Sequence, residues 1–209
     1  MINFVLKIQE SPTLMRIYHA VSPLVQLFPY YIMEEFYVDQ NKFNIELEKK
    51  DSEIAILTRG DMDFLGNHEE NNDEKTEELI QWLEAGRICL AFRYRGEIAA
   101  YSWCDLNYLK YKGRTVALKQ NEAYLFNART YKAFRGRNLA PYVRNELFKL
   151  LMQRGIDRFF SITLWSNTAS MKFKQKSGAK PIELFLYVGL FRKFHLHFRL
   201  RNMARGQFT

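Results

Sequence analysis

The sequence predicts a mixed α/β (α+β) fold: a mostly antiparallel sheet flanked by helices, preceded by an N-terminal extension. Three observations carry this reading. Two apolar, β-branched runs, Ile88–Tyr94 and Ile98–Cys104, are joined by Arg95-Gly96-Glu97, the pattern of a hairpin. Leu139–Arg154 places Val143, Leu147, Leu150 and Leu151 on one helical stripe and stops at Gly155, a natural C-terminal cap. Strand and helix patterns then alternate through the C-terminal half, which calls for a sheet with helices packed on it.

The remaining elements follow in chain order. Residues 14–29 are apolar with few charges, interrupted by Pro23 and closed by Pro29, and read as a broken helix packed on the domain in preference to a membrane-surface helix, whose polar face would want Lys/Arg clusters. Tyr30–Val38 is aromatic and β-branched enough for a strand, and Ile54–Thr58 is a shorter one. Gly60-Asp61 marks a helix start. The acidic stretch from Glu69 runs into a helix with Leu79, Trp82 and Leu83 on one face, ending near Gly86. After a polar connection come a strand at Tyr124–Thr130, the helix described above, a strand at Phe159–Leu164 and a short helix at Ala169–Lys176. Leu184–Val188 and Phe191–Leu200 close the chain as strands. The expected division is an extension over residues 1–50 and one domain over residues 51–203.

Composition narrows the function classes. At 209 residues and 47% hydrophobic content, the chain can bury a full core. Its start lacks a basic n-region and a sustained apolar run, and no stretch approaches a membrane span, so a cytoplasmic location is the simplest expectation. Cys89 and Cys104 lie in apolar strand patterns and read as buried free thiols. The net charge of +8 is unevenly spread. Residues 51–85 hold 11 acidic and 2 basic side chains, net −9, whereas residues 86–209 hold 24 basic and 6 acidic, net +18. A field of that sign favours phosphates, nucleic acid or an anionic membrane.

Two short runs sharpen the choice. Arg135-Gly136-Arg137-Asn138-Leu139-Ala140 is a basic, glycine-containing turn opening a helix, where free N–H groups and the helix dipole both favour an anion. Pro141 removes one donor but is tolerated in the first turn. Asn167-Thr168-Ala169-Ser170 sits about thirty residues on, again where a strand meets a helix, and a lone Asn there reads equally well as a plain N-cap. In order and spacing the two runs resemble the GNAT superfamily of acyl-CoA-dependent N-acyltransferases, over about residues 53–190. That family's phosphate turn reads Q/R-x-x-G-x-G/A. Asn138 stands at its first glycine, a mild departure because Asn accepts left-handed geometry. The second family motif is matched by Asn167, Ser170, Phe173, Lys176 and Gly178.

The resemblance implies acetyl-CoA as acyl donor. The backbone of Ala128, Arg129 and Thr130 would bond the pantetheine arm, Arg135 to Ala140 would hold the pyrophosphate, and Asn167, with Ser170 and Phe173 of the same motif, would orient the arm. It also implies transfer of an acetyl group to a primary amine of a small acceptor; the basic cleft suggests an anionic one, such as an amino sugar or its nucleotide derivative. The catalytic candidates are weaker matches. Lys174 stands where the family often has a tyrosine that protonates the leaving thiolate, and Glu122 shares strand parity with Tyr124, Phe126, Ala128 and Thr130 as a candidate base. Each has a bland counterpart, a solvated helix lysine and a surface glutamate. His195 and His197 lack acidic or Cys partners, so no metal is expected. The final segment alternates cations or histidines with apolar residues, the pattern of a strand with one buried and one basic face. Peripheral membrane contact stays open, and the oligomeric state is not readable. Two rival readings remain: a non-catalytic CoA-binding or interaction module of the same fold, and, ranked below it, a nucleic-acid binder using the basic region.

Overall fold

The computed structural model describes residues 24–38, 45, 49–70 and 74–203. Eight strands form one sheet in the order β10-β9-β1-β8-β7-β4-β3-β2. They are β1 (Val25–Glu35), β2 (Ser52–Ile56), β3 (Ile88–Tyr94), β4 (Glu97–Asp105), β7 (Glu122–Thr130), β8 (Arg158–Leu164), β9 (Lys180–Leu190) and β10 (Phe194–Asn202). A separate hairpin pairs β5 (Tyr108–Tyr111) with β6 (Arg114–Ala117). The helices are α1 (Met62–Asn67), α2 (Thr76–Glu84), α3 (Leu139–Met152) and α4 (Thr168–Lys176). β7 and β8 pair in parallel and every other neighbouring pair of the large sheet is antiparallel. That one parallel pair requires a crossover, which α3 supplies.

Helices cover both faces of the central strands, which explains why β3 and β4 are almost continuously apolar. On one face Met62, Leu65 and Leu79 pack on Cys89, Ala91, Tyr101 and Trp103. On the other, Leu147, Phe148 and Leu151 of α3 pack on Leu90, Cys104, Leu125 and Phe159. Both cysteines are buried free thiols, and burial pushes Cys104 up to about 12. The expected hairpin turn is present, with Arg95 and Gly96 both at positive φ. Asp61 accepts from the Thr58 N–H at 2.8 Å and starts the turn that leads into α1.

Several expectations change. Residues 25–29 are strand, not the end of a helix, and residues 14–23 lie outside the described residues. β1, although within residues 1–50, lies inside the sheet between β8 and β9. Pro29 is tolerated there because its carbonyl accepts from Trp165 just past the first β1–β8 pair, Tyr30–Leu164. The side lacking an N–H therefore faces the end of that ladder, and the β1–β9 ladder is spared. The polar connection before β7 holds β5 and β6, whose turn Lys112-Gly113 has positive φ at both residues. Their Leu109 and Tyr111 pack with Tyr30, Phe185 and Tyr187. β10 begins at Phe194, because residues 191–193 form the turn. Its apolar alternate, Phe194, Leu196, Phe198 and Leu200, is exposed rather than buried. α3 packs over β3, β4 and β7 and does not extend to this edge.

The junction of α1 and α2 tests the packing. A Cβ on Gly66 would stand 2.6 Å from the Thr76 backbone nitrogen, whereas one on Gly60 would meet only the Thr58 hydroxyl at 3.9 Å. Gly66→Ala is expected to cost about 1–3 kcal/mol by overpacking, and Gly60→Ala to stay within about 0.5 kcal/mol of the parent. Urea unfolding of the two variants measures the contrast.

Candidate functional site

The site begins with a break in pairing. β7 and β8 stay in register from Glu122–Arg158 to Leu125–Ser161 and then part. On its other side, β7 slips against β4 between Arg129 and Phe126, where three residues of β7 span two of β4. The extra residue is accommodated at Asn127, with φ of 40°, the conformation a bulge demands and Asn tolerates. Beyond the bulge, β7 presents an edge to β8 with no ladder partner. Backbone donors and acceptors on such an edge need another partner. The Asn127 Nδ2 and Thr130 Oγ1 atoms are also buried without a hydrogen-bond partner.

The strand runs into a short 3-10 turn, Lys132–Phe134, and then the basic turn. Gly136 has φ of +82° and nothing lies within 4 Å of a Cβ built on it, so conformation alone calls for glycine there. Asn138 caps α3 in the left-handed region at φ 57°. The first N–H groups of α3 have no acceptor within the helix and point out of its N-terminus. The result is a cleft of about 540 Å³ lined by Ala128, Arg129, Thr130, Phe134, Arg135, Gly136, Asn138, Leu139, Ala140, Pro141 and Phe173.

Nine of the sequence-predicted residues thus meet around one cleft: Ala128, Arg129, Thr130, Arg135, Gly136, Asn138, Leu139, Ala140 and Phe173. Others lie off it. Arg137 stands over the Phe134 ring at 6.0 Å. Asn167 caps α4, its Oδ1 accepting from the Ser170 N–H at 3.0 Å, a bond that leaves its Nδ2 unused. Glu122 opens β7, six residues and so about 20 Å from Ala128 at strand rise. Its carboxylate accepts from Arg158 at 2.8 Å and from the Lys119 N–H at 3.0 Å.

Lys174 is 3% exposed, not a solvated helix lysine. Its Nζ donates to Ser161 Oγ at 2.7 Å, to Thr163 Oγ1 and to the Ile162 carbonyl, and lies 3.6 Å from Glu35 Oε1. Arg144 of α3 approaches the other Glu35 oxygen at 3.5 Å. Burial pushes Lys174 down to about 8, and Glu35 offsets part of that. Burial alone would raise Glu35, but Arg144 and Lys174 outweigh it and hold the carboxyl below its ordinary value. Two cations share one carboxylate in the interior, directly beneath the part of β8 where pairing with β7 stops. The five side chains, Glu35, Arg144, Ser161, Thr163 and Lys174, come from β1, α3, β8 and α4, so no local motif announces them.

An acidic residue that the sequence did not single out sits on the basic turn. Glu70 accepts from Arg135 Nη2 and from the Lys132 N–H, each at 2.8 Å, and its carbonyl accepts from Arg129. The stacking of His68 on Tyr131, with ring centroids 3.7 Å apart, fixes the segment in place. A second cavity of about 660 Å³ opens beside it, with Phe64, His68, Glu97 and Tyr131 in its wall, and it shares Phe134 with the first.

The cleft geometry is matched by comparison. The acetyltransferase (GNAT) family matches residues 55–179. The chain belongs to that family. None of the curated proteins matches it. Among solved structures, a GCN5-related N-acetyltransferase-like protein from Streptococcus suis 89/1591 superposes with a TM-score of 0.55 at 14% identity, over 84% of this chain and 66% of that one. A tandem GNAT protein from the clavulanic acid biosynthesis pathway gives 0.56 at 9%, over 87% and 59%. YncA from Salmonella typhimurium, whose structure contains its cofactor acetyl-CoA, gives 0.51 at 13%, over 69% and 96%. The chain spans about 57–66% of the length of six of the solved structures it superposes on, the Streptococcus suis and clavulanic acid pathway proteins included.

Two predictions follow from the charges. Glu35→Gln leaves two buried cations without an anion and is expected to destabilise the fold by about 3–5 kcal/mol, whereas Lys174→Met leaves the balanced Glu35–Arg144 pair and is expected to be neutral or stabilising. Lys174 also carries a pH signature. Its pKa of about 8 lies below the ordinary 10.5, so the unfolded chain binds more protons between those values and stability rises across that window. Chemical denaturation from pH 7 to 10.5 tests both points, and the rise is expected to vanish in Lys174→Met. Separately, Glu70→Gln frees Arg135, and CoA binding measured by calorimetry is expected to tighten about two- to five-fold, the range of a partly exposed ion pair.

Proposed function

We propose that this protein transfers an acetyl group from acetyl-CoA to a primary amine of a small acceptor. The observation that carries the reading is the edge of β7 that leaves its β8 ladder after Leu125 and leads, through the basic turn, to the αL-capped start of α3. Extended backbone donors and acceptors fit an amide-bearing arm, and a helix N-terminus flanked by Arg135 fits a pyrophosphate. When bound, acetyl-CoA would supply an activated thioester. The chain's contribution is binding and orientation, with N–H donors of the parted edge fixed in advance, the property that lowers a barrier in which charge develops on oxygen.

Proton movement is the less specified part. Among the described residues no carboxylate lines the cleft, and Glu122 stands about 20 Å along β7 and is engaged by Arg158. Our reading therefore gives the amine proton to water. Lys174 acts as a positioning residue through Ser161 and Thr163, holding β8 where it leaves β7. The net positive charge of residues 86–209 supports an anionic acceptor, such as an amino sugar or its nucleotide derivative. The engagement of both catalytic candidates also favours a second reading, a CoA-binding module without transfer activity.

Calorimetry with acetyl-CoA and a thiol-release assay across a panel of anionic, neutral and cationic amines separate these readings. Saturable binding with CoA release supports transfer, and binding without release on any amine supports the module. No binding by the folded protein at millimolar acetyl-CoA overturns both. Gly136→Val forces a β-branched residue to positive φ in open space. It is expected to weaken acetyl-CoA binding at least ten-fold with little loss of fold, read by calorimetry alongside circular dichroism.

A further inference from the structure

The edge hairpin of the sheet carries a feature that acetyl transfer does not use. Between β9 and β10, Lys193 N–H closes a turn on the Leu190 carbonyl at 3.1 Å, and its two central residues, Phe191 and Arg192, have φ of 53° and 56°. The other two hairpin turns of the chain, Arg95-Gly96 and Lys112-Gly113, place glycine at the second central position, where positive φ is free of strain. Here an aromatic and an arginine take that conformation instead, and strain retained at an exposed turn points to a use.

The turn holds Phe191 out at 64% exposure, beside Phe194 at 54% and Leu24 at 50%. Phe191 N–H is bonded to the Leu24 carbonyl at 2.6 Å, so the tip is tied to β1 and preformed. Arg192 and Lys193 stand between the two phenylalanines, and Lys193 Nζ lies 5.9 Å from the Phe194 ring. Exposed apolar residues continue along β10 as Leu196, Phe198 and Leu200. The opposite face of β10 is occupied: His195 and His197 bond Tyr187 and Tyr30, and a Cβ on Gly113 would stand 3.0 Å from His195. From Gly189 to Arg201 the sequence holds four cations and no acid, and the one acid paired with this strand, Glu183, neutralises Arg199 at 3.1 Å.

We propose that the Phe191–Phe194 tip, with Leu24, docks on an anionic membrane surface. Apolar side chains enter the boundary between headgroups and acyl chains while Arg192 and Lys193 meet lipid phosphates and carboxylates. Charge decides between this occupant and a second copy of the chain. A two-fold contact sets a patch against itself, and among its described residues this patch offers Arg192 and Lys193 no acid other than Glu183, which Arg199 already engages.

The test is co-sedimentation of the full-length protein with phosphatidylcholine vesicles, with and without 30% phosphatidylserine, at low and high salt. Binding to the anionic vesicles, weakened by salt, is expected. Phe191→Ser/Phe194→Ser should lower the partition coefficient at least ten-fold, and Arg192→Gln/Lys193→Gln by about 25-fold, at about five-fold for each cation. Both double variants should keep the parent's circular dichroism and acetyl-CoA affinity, which separates this proposal from the catalytic one. No binding to anionic vesicles, or equal binding by parent and the Phe191→Ser/Phe194→Ser variant, overturns it. A dimer in sedimentation equilibrium that this variant dissolves assigns the face to a second copy. Salt-sensitive binding to single-stranded RNA, lost in the same variant and unmatched by vesicle binding, assigns it to nucleic acid.

Discussion

Much of this structure depends on one interrupted ladder. β7 and β8 are held in parallel by their first four pairs and then separate, while the bulge at Asn127 bends β7 away from its register with β4. A sheet interior normally allows no unpaired edge, because each buried N–H and C=O must find a partner. The break therefore has to fall where something else can satisfy the backbone. It falls at the start of α3, where the chain leaves the sheet with Gly136 and Asn138 in left-handed geometry. A strand edge released from its ladder and a helix terminus are thus brought into one cleft, and one elongated anionic ligand can serve both.

Holding two strands apart needs support from behind. On the β7 side, α3 buries Leu147, Phe148 and Leu151 against Leu125 and Phe159. On the β8 side the support is ionic, with Lys174 joining Ser161 and Thr163 to Glu35 and Arg144. An apolar filler would pack as well and cost less desolvation, since buried ion pairs seldom repay their burial. Directed bonds do something packing does not. They specify which residues of β8 are held, and they draw β1, α3 and α4 onto the same point. Buffering of Glu35 by two cations, rather than one, keeps it ionised and able to hold them.

The legible part of the fold was that encoded locally. The hairpin at Arg95-Gly96, the apolar stripe of α3, its cap near Gly155 and the basic turn with Asn138 are patterns within a few residues, and each maps onto one physical requirement of turn or helix. Nine cleft residues were readable for the same reason. What escaped was set by distant pairing. Residues 25–29 carry a proline and an apolar run, which resembles a helix end until β9 on one side and the end of β8 on the other are in place. Lys174 looked solvated because helix periodicity over α4 says nothing about Glu35, which arrives from another strand. Glu70 sat in an acidic run whose neighbours all read as a wet face, and only the folded chain brings it to Arg135.

β10 shows how a correct pattern can be assigned to the wrong environment. Alternation along Phe194–Arg201 does mark a strand with two unlike faces, but alternation cannot say which face is covered. The usual inference buries the apolar side. Here the polar side found partners first: His195 and His197 are engaged by Tyr187 and Tyr30, and the β5–β6 hairpin, itself unseen in the sequence, closes over them. Arg114 completes that cover by lying 4.0 Å over the Phe185 ring. With that face engaged and α3 confined to the central strands, the phenylalanines stay more than half exposed among the described residues. The exposure of this row is thus a consequence of what the other face engages.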